Sequence, residues 1–275
     1  MTEGQHDQLA APGAPRQPRS AAVRYALMAG ALLLIVLFAG LGTWQVYRLQ
    51  WKLDLIARVD ARVHAAPVAA PPAARWAQVT RDTDEYRRVR LAGTYLYEYT
   101  TPVQALSELG SGFWLLTPLC LPDGSIVLVN RGFIPVTEGG PKRYPARRAA
   151  AGACAAAKGE AATLSGLLRI SEPGGGFLRD NDPVSNRWYS RDVAGIAAAR
   201  GLSNVAPYFV DAGAKMDPVG APQHPVGGLT VISFPNTHLI YALTWYALAL
   251  MVGSAWWWIA RGAAGRQRRG QERRS

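Results

Sequence analysis

Charge is absent from two long stretches of this 275-residue chain, Tyr25 to Tyr47 and Leu239 to Ala260. At roughly 1.5 Å per residue, a helix of about 22 residues covers roughly 33 Å, enough to cross a bilayer. The hydrophobic content of 49% would suit either a globular or a small membrane protein, and this uneven distribution decides for the membrane. Cysteine is scarce, with Cys120 and Cys154 alone. Without a Cys-x-x-Cys or a thiolate pair at metal spacing, a copper carrier or a thiol oxidoreductase is disfavoured. Gly-x-Ser-x-Gly is missing, and His64 and His224 stand in contexts with no nucleophile motif. The acidic pairs at Asp82, Asp84, Glu85 and at Asp180, Asp182 fall in turns, where Asp is expected anyway. An enzyme therefore finds little support, and no internal repeat is evident.

What is present reads as span, loop, span. The first apolar run contains Leu32 to Phe38 and is too long for the h-region of a signal peptide. Nothing after Gly42 resembles a small-residue cleavage site before the bulky Trp44-Gln45-Val46-Tyr47, so the run is kept as an anchor. Residues 1–23 carry Glu3 and Asp7 among Pro, Ala and Gln, unlike a mitochondrial transit peptide, and read as a disordered, bacterial-type cytoplasmic tail. Basic residues flank the first span on both sides and do not orient it. Six arginines, Arg261 to Arg274, follow the second, and none lies between Lys215 and its start, so the positive-inside rule places both termini in the cytoplasm. The expected organisation is a tail at 1–23, a transmembrane helix at 24–47, an extracytoplasmic domain at 48–235, a second transmembrane helix at 236–260 and a basic cytoplasmic tail at 261–275. That tail supplies much of the formal charge of +11 and is explained by anionic membrane lipid, not by nucleic acid.

Beyond the first span, Leu49, Leu53, Ile56, Val59 and Val63 continue at helical spacing until Ala66-Pro67 and Pro71-Pro72. Strands are predicted at Val89–Tyr97, Gly112–Leu119, Ser125–Ile134, Ala162–Ile170, Asn186–Ser190, Pro207–Asp211 and Gly228–Phe234. A hairpin is expected at Pro122-Asp123-Gly124, and a helix at Arg191–Arg200 is closed by Gly201. The Ala, Gly and Arg-rich segment from Gly139 to Gly159 reads as an irregular surface loop. The fold class is thus a two-span α-helical membrane protein with an extracytoplasmic α+β domain, a mostly antiparallel sheet or small open barrel. An extracytoplasmic compartment permits a disulfide. Cys154 nevertheless stands in the weakest stretch and Cys120 fits a buried strand end, so the two are expected unpaired.

His238 opens the second apolar run after Pro235-Asn236-Thr237. The unpaired N–H groups and partial positive charge of a first turn favour neutral imidazole, the form that ligates metals. On a helix, His238, Tyr241, Ala242, Trp245 and Ala249 form one stripe that suits a flat, apolar ligand. Antiparallel spans would bring Gly42, Trp44, Gln45 and Arg48 to the same level, adding rings for a planar cofactor and a guanidinium for carboxylate tails. The competing readings are a helix cap or a bond to a neighbouring strand for His238. For Trp44 and Arg48 the competitor is an interfacial aromatic belt with a snorkelling arginine, which those two residues alone favour. Trp256, Trp257 and Trp258 beside Arg261 fit such a belt.

Five blocks, in order, resemble the surfeit locus protein 1 family: Gly42 to Lys52, Val89 to Tyr95, Val127 to Pro135, Trp188-Tyr189 with Asp192, and Asn236 to Tyr246. That resemblance implies a factor for assembly of a haem–copper terminal oxidase (cytochrome c oxidase) that binds haem a transiently and aids its insertion into the catalytic subunit. Implied partners are that subunit, the machinery of haem a synthesis and membrane lipid, with no nucleic acid; the implied location is the bacterial plasma membrane. The family's proposed haem-ligating histidine falls on His238, its Trp-Gln-x-x-Arg block on Trp44, Gln45 and Arg48, with Tyr241 and Trp245 completing the expected cofactor site. Its Asn-Arg-Gly-Phe-x-Pro block falls on Asn130, Arg131, Gly132, Phe133 and Pro135. Those five read either as a partner-docking turn with an exposed Phe or as an ordinary tight turn in which Gly132 supplies freedom. A membrane-anchored scaffold with no cofactor of its own is the alternative function.

Overall fold

The computed structural model describes residues 21–272 apart from 141, 160, 177, 219, 223 and 231–233, with backbone alone for residues 21 and 263–272. It divides into two compact units, residues 1–54 with 235–275, and residues 55–234. Most of the predicted tail at 1–23 lies outside the described residues.

The first unit is built from two long helices, α1 (Ala21–His64) and α4 (His238–Glu272). Both are long and apolar enough to cross a membrane. Helix α1 already includes Ala21 to Val23, and it continues past its apolar part until Ala66-Pro67 removes the next helical N–H. Helix α4 continues through Arg261 into the segment read from sequence as a tail. Nothing breaks it there: residues 261–272 contain no proline and are rich in Arg and Gln, both good helix formers.

The second unit is a closed barrel, not the open one expected. Its strands are β1 (Val68–Ala69), β2 (Arg88–Tyr95), β3 (Thr101–Ser107), β4 (Gly110–Cys120), β5 (Ile126–Pro135), β6 (Ala162–Ile170) and β7 (Val205–Ala212). Between β1 and β2 lies the short α2 (Arg81–Asp84), and before β7 comes α3 (Val193–Arg200). The order β2-β6-β7-β5-β4 is closed by pairing of β4 back to β2, at Thr94 with Cys120 and Tyr95 with Leu119. Strands β1 and β3 extend it at the sides of β2 and β4. Around the ring every pair is antiparallel except β5 with β7. Closure requires β2 and β4 to approach very closely, and Gly93 allows it: a Cβ there would sit 2.1 Å from the Cys120 carbonyl oxygen.

Alternation sorts the side chains. Val127, Val129, Tyr208 and Val210 point inward with Val89, Leu91, Leu119, Leu164 and Leu168, giving the barrel core. Their neighbours Leu128 and Phe209 point outward and pack with Trp188, Val193 and Ile196 under α3. Strand β5 is therefore buried on both faces from Ile126 to Ile134 and shows no polar alternation. Helix α3 starts on the Asp192 side chain, which accepts from Gly195 N–H at 3.0 Å, and ends at Gly201 in the left-handed conformation, as predicted. At its end the buried Arg200 guanidinium donates to Thr101 Oγ1 and Asn186 Oδ1, both at 2.8 Å; burial, with no carboxylate beside it, pulls its pKa down to about 10.

Several expectations are corrected here. Asn186–Ser190 forms isolated bridges only, Val103 with Trp188 and Asp182 with Arg187, because hydrogen bonds to Asn181 and Tyr144 hold the segment. Residues 228–230 form no strand, and 231–233 of the predicted Gly228–Phe234 strand lie outside the described residues. Two other strands, β1 and β3, take their place. Cys120 and Cys154 are joined in a disulfide, with Cα atoms 5.4 Å apart. Ala153, Cys154 and Ala157 pack against Leu96, Cys120 and Ile126, so the alanine-rich loop is stapled onto the barrel end.

The Val127–Pro135 block is also not a turn but the body of β5. Asn130 donates to Asp211 Oδ1 at 2.8 Å and accepts from Gly132 N–H at 3.2 Å. Arg131 is 1% exposed and forks onto Asp217 at 2.7 and 2.5 Å. Gly132, at φ +140°, lets the Val226 carbonyl approach to 2.5 Å of where a Cβ would stand. Phe133, expected exposed, is 2% exposed. Of the five residues read as a docking turn, only Pro135 reaches the surface. Their side chains hold the barrel to the segment 211–226 instead.

Candidate functional site: the paired helix ends

Three-residue and four-residue spacings bring one face of α1 onto one face of α4, antiparallel. His238 is the first residue of α4, and its Nδ1 lies 2.7 Å from Gln45 Oε1. Further along, Thr43 Oγ1 donates to Ala39 O at 2.9 Å, so the 3.0 Å contact with Tyr246 is filled by the Tyr246 hydroxyl donating to Thr43. Gly42 makes that possible, since a Cβ there would stand 2.9 Å from the Tyr246 ring. Then Phe38 stacks on Trp245 with ring centroids 5.7 Å apart, and Ala242 is 2% exposed between these contacts. Polar bonds at one end and ring packing below it fix the register of two helices that would otherwise slide.

The His238 bond also divides the roles of the two ring nitrogens. An amide oxygen only accepts, so Nδ1 is the donor to Gln45, and Nε2 is the nitrogen not engaged in that bond. A half-buried imidazole anchored through one nitrogen, with the other outside that bond, has the arrangement found at metal-ligating histidines. Among the described residues there is no group of three or more His, Cys, Asp or Glu suited to a bare metal ion. Any metal held by His238 would have to bring most of its own ligands.

The other expected site residues divide. Trp245 lies on the helix interface, half-buried against Phe38. Trp44 and Tyr241 are 56% and 53% exposed, off that interface. The Arg48 guanidinium stacks over Trp51 at 4.2 Å, three residues on, and not on Trp44. The small-residue face beneath His238 is occupied by Gly42, Phe38 and Ile35 of α1, so a flat ligand does not enter between the helices there. An apolar recess of about 630 Å³ lined by Ile35, Tyr246, Leu250, Gly253 and Trp257 lies further along the pair, without His238. Sequence reasoning missed Thr43, Tyr246 and Phe38; the steps from Phe38 to Gly42 to Gln45 carried the signal, as one face of a helix.

Two apolar helices pinned to each other, with a five-stranded closed barrel inserted between them in sequence, define a class of membrane-associated β-barrel protein. Comparison places it further. The SURF1 family model matches residues 32–250. A SURF1-like protein of Monosiga brevicollis is 32% identical over 253 residues, 86% of this chain and 88% of that protein. Surfeit locus protein 1 of Homo sapiens is 34% identical over 242 residues, 82% of this chain and 74% of that one. A SURF1-like protein of Drosophila melanogaster is 31% identical over 245 residues, covering 82% and 75%. The chain belongs to the SURF1 family.

Proposed function

We propose that this SURF1 family member is an assembly factor for a haem–copper terminal oxidase: it takes haem a from the synthesis machinery, holds it through His238 and aids its insertion into the catalytic subunit. The observation that carries this reading is the 2.7 Å bond between His238 Nδ1 and Gln45 Oε1. It leaves Nε2 as the nitrogen that would hold the iron of the cargo. Gln45 orients the ring and holds its proton on Nδ1. The Thr43–Tyr246 bond and Phe38–Trp245 stack hold α1 and α4 in the register that makes the pair possible. Arg48, with its guanidinium backed by Trp51, is the cation available to carboxylate tails, and Trp44 and Tyr241 offer exposed rings. No bond of the cargo need change, so the role is binding and hand-over, not catalysis.

The same reading puts the chain in a bacterial plasma membrane with both termini in the cytoplasm and the barrel outside. The run of arginines after Ala260 supports that orientation. So does the Cys120–Cys154 disulfide, which forms and persists in an oxidising compartment. A scaffold without cofactor is the second reading, favoured by the close α1–α4 packing beneath His238 and by the failure of Trp44 and Arg48 to converge on it. Purification from cells that make haem a separates the two. The first reading expects a haem absorption band that His238→Ala removes and His64→Ala retains. A haem-free preparation that still co-purifies with an oxidase subunit gives the scaffold.

A further inference from the structure

Away from the helix pair, the surface of the barrel unit carries a cleft of about 260 Å³ whose lining includes Tyr97, Glu98, Arg143, Tyr144, Arg147 and Pro222. Tyr144 is 6% exposed, and its hydroxyl has no hydrogen-bond partner among the described residues. Arg131 adjoins the same cleft: its guanidinium lies over the Tyr97 ring at 4.8 Å, and Nη2 donates to the Pro222 carbonyl at 2.9 Å. Asp217 takes Nε and Nη2, while Nη1 is buried with no partner among the described residues. A buried donor left unmet costs about 1–3 kcal/mol, so the Tyr144 hydroxyl on the lining, with Arg131 just behind it, points to an acceptor that arrives from outside.

The rim carries two guanidinium groups without ion pairs. Arg143 and Arg147 are exposed and form no salt bridge among the described residues, while the carboxylates nearby are the exposed Glu98 on the lining and the exposed Glu138, whose charge acts on Tyr144. Burial pushes the Tyr144 hydroxyl up, against the opposing pull of Arg131 and Arg143, so it stays a donor through the physiological range. Donors from Tyr144, Arg143 and Arg147 at one recess suit an acceptor with oxygens in several directions. A tetrahedral phosphoryl group offers that, together with a charge near two that two guanidinium groups offset.

We propose that this cleft binds a phosphoryl oxyanion, with Tyr144 Oη donating from its wall, Arg131 lying behind Tyr97 and Pro222, and Arg143 and Arg147 supplying charge at its mouth. Free phosphate and the headgroup of a phospholipid share this chemistry. The test is calorimetric titration of the full chain in detergent with inorganic phosphate, with dihexanoyl phosphatidic acid below its micellar concentration, and with acetate, all at fixed ionic strength in chloride. Tyr144→Phe removes a hydroxyl with no hydrogen-bond partner among the described residues and keeps the ring packed on Leu115 and Ile134, so it is expected to leave the fold intact. It is expected to weaken phosphoryl binding about tenfold, the loss of one hydrogen bond to a charged group. Arg147→Gln, at an exposed position, gives an independent variant with a loss in the same direction. Tighter binding of phosphate than of the lipid points to a free anion, and the reverse to a membrane headgroup; either result with the Tyr144→Phe loss supports the site. Absence of binding by both, equal binding of acetate, or Tyr144→Phe affinities within twofold of the parent overturns it.

Discussion

Breaking the Cys120–Cys154 bond should loosen the barrel by an amount the chain itself sets. The two cysteines are 34 positions apart in sequence. Cross-linking a loop of that size removes unfolded-state freedom worth roughly 4 kcal/mol on the chain-entropy account. For a domain of 150–250 residues each kcal/mol corresponds to about 2–4 °C, so the midpoint should fall by roughly 8–16 °C. Cys120 also pairs with Thr94 at the closure of the ring, and Cys154 packs on Leu96 and Ile126, so the loss acts where β4 rejoins β2. The assay is thermal unfolding of the full chain in detergent, followed by tryptophan fluorescence, for the parent with and without reductant and for Cys154→Ser. Reductant removes the bond without removing an atom of the packed side chains, so it isolates the cross-link from the lost sulfur contacts. Matching midpoints for oxidised parent, reduced parent and Cys154→Ser would refute the reasoning.

Gly42→Val drives a side chain into the Tyr246 ring and should destabilise the helix pair by about 1–3 kcal/mol, whereas Gly40→Ala, with nothing within 4 Å, should not; unfolding in detergent compares them. Asn130→Ala strands the Gly132 N–H and leaves Asp211 Oδ1 to Arg191 alone, and should cost the barrel about 1–3 kcal/mol in denaturant titration while leaving any haem band unchanged. Burial works to raise the Glu172 carboxyl, but hydrogen bonds from Arg191 and the charges of Arg191 and Arg169 outweigh it and hold the pKa below the ordinary 4.5. A carboxyl depressed in the folded state contributes stability above its unfolded pKa and loses it as pH falls through the folded one, so barrel stability should drop below about pH 4.5 and Glu172→Gln should flatten part of that drop.

Where local chemistry decides, the sequence was readable. The Asp123-Gly124 hairpin, the Gly201 stop of α3 and the alternation of β2 each follow from neighbouring residues alone, and the structure keeps them. Strand β3 escaped because Thr101 to Ser107 carries little alternation and earns its place by pairing along β4 from Leu116 to Gly110. Closure of the barrel was likewise invisible, because it depends on a two-residue contact between β2 and β4 and on the bare Gly93 that permits it. The disulfide was misjudged since the alanine-rich loop looks featureless until its alanines are seen packed on Leu96. At the helix ends, the sequence brought His238 and Gln45 to one level but set Arg48 with Trp44, whereas its guanidinium lies over Trp51. The i–4 and i+3 neighbours share one helix face a turn to either side, and only the fold selects one.

Optical titration of haem a into the purified full chain tests the central claim most directly. Parent and Gln45→Glu, which keeps an acceptor for Nδ1–H, should bind with a defined axial-ligand band; Gln45→Leu should bind more weakly, and His238→Ala should lose the band. Titration curves for His238→Ala that superimpose on the parent's would contradict the account.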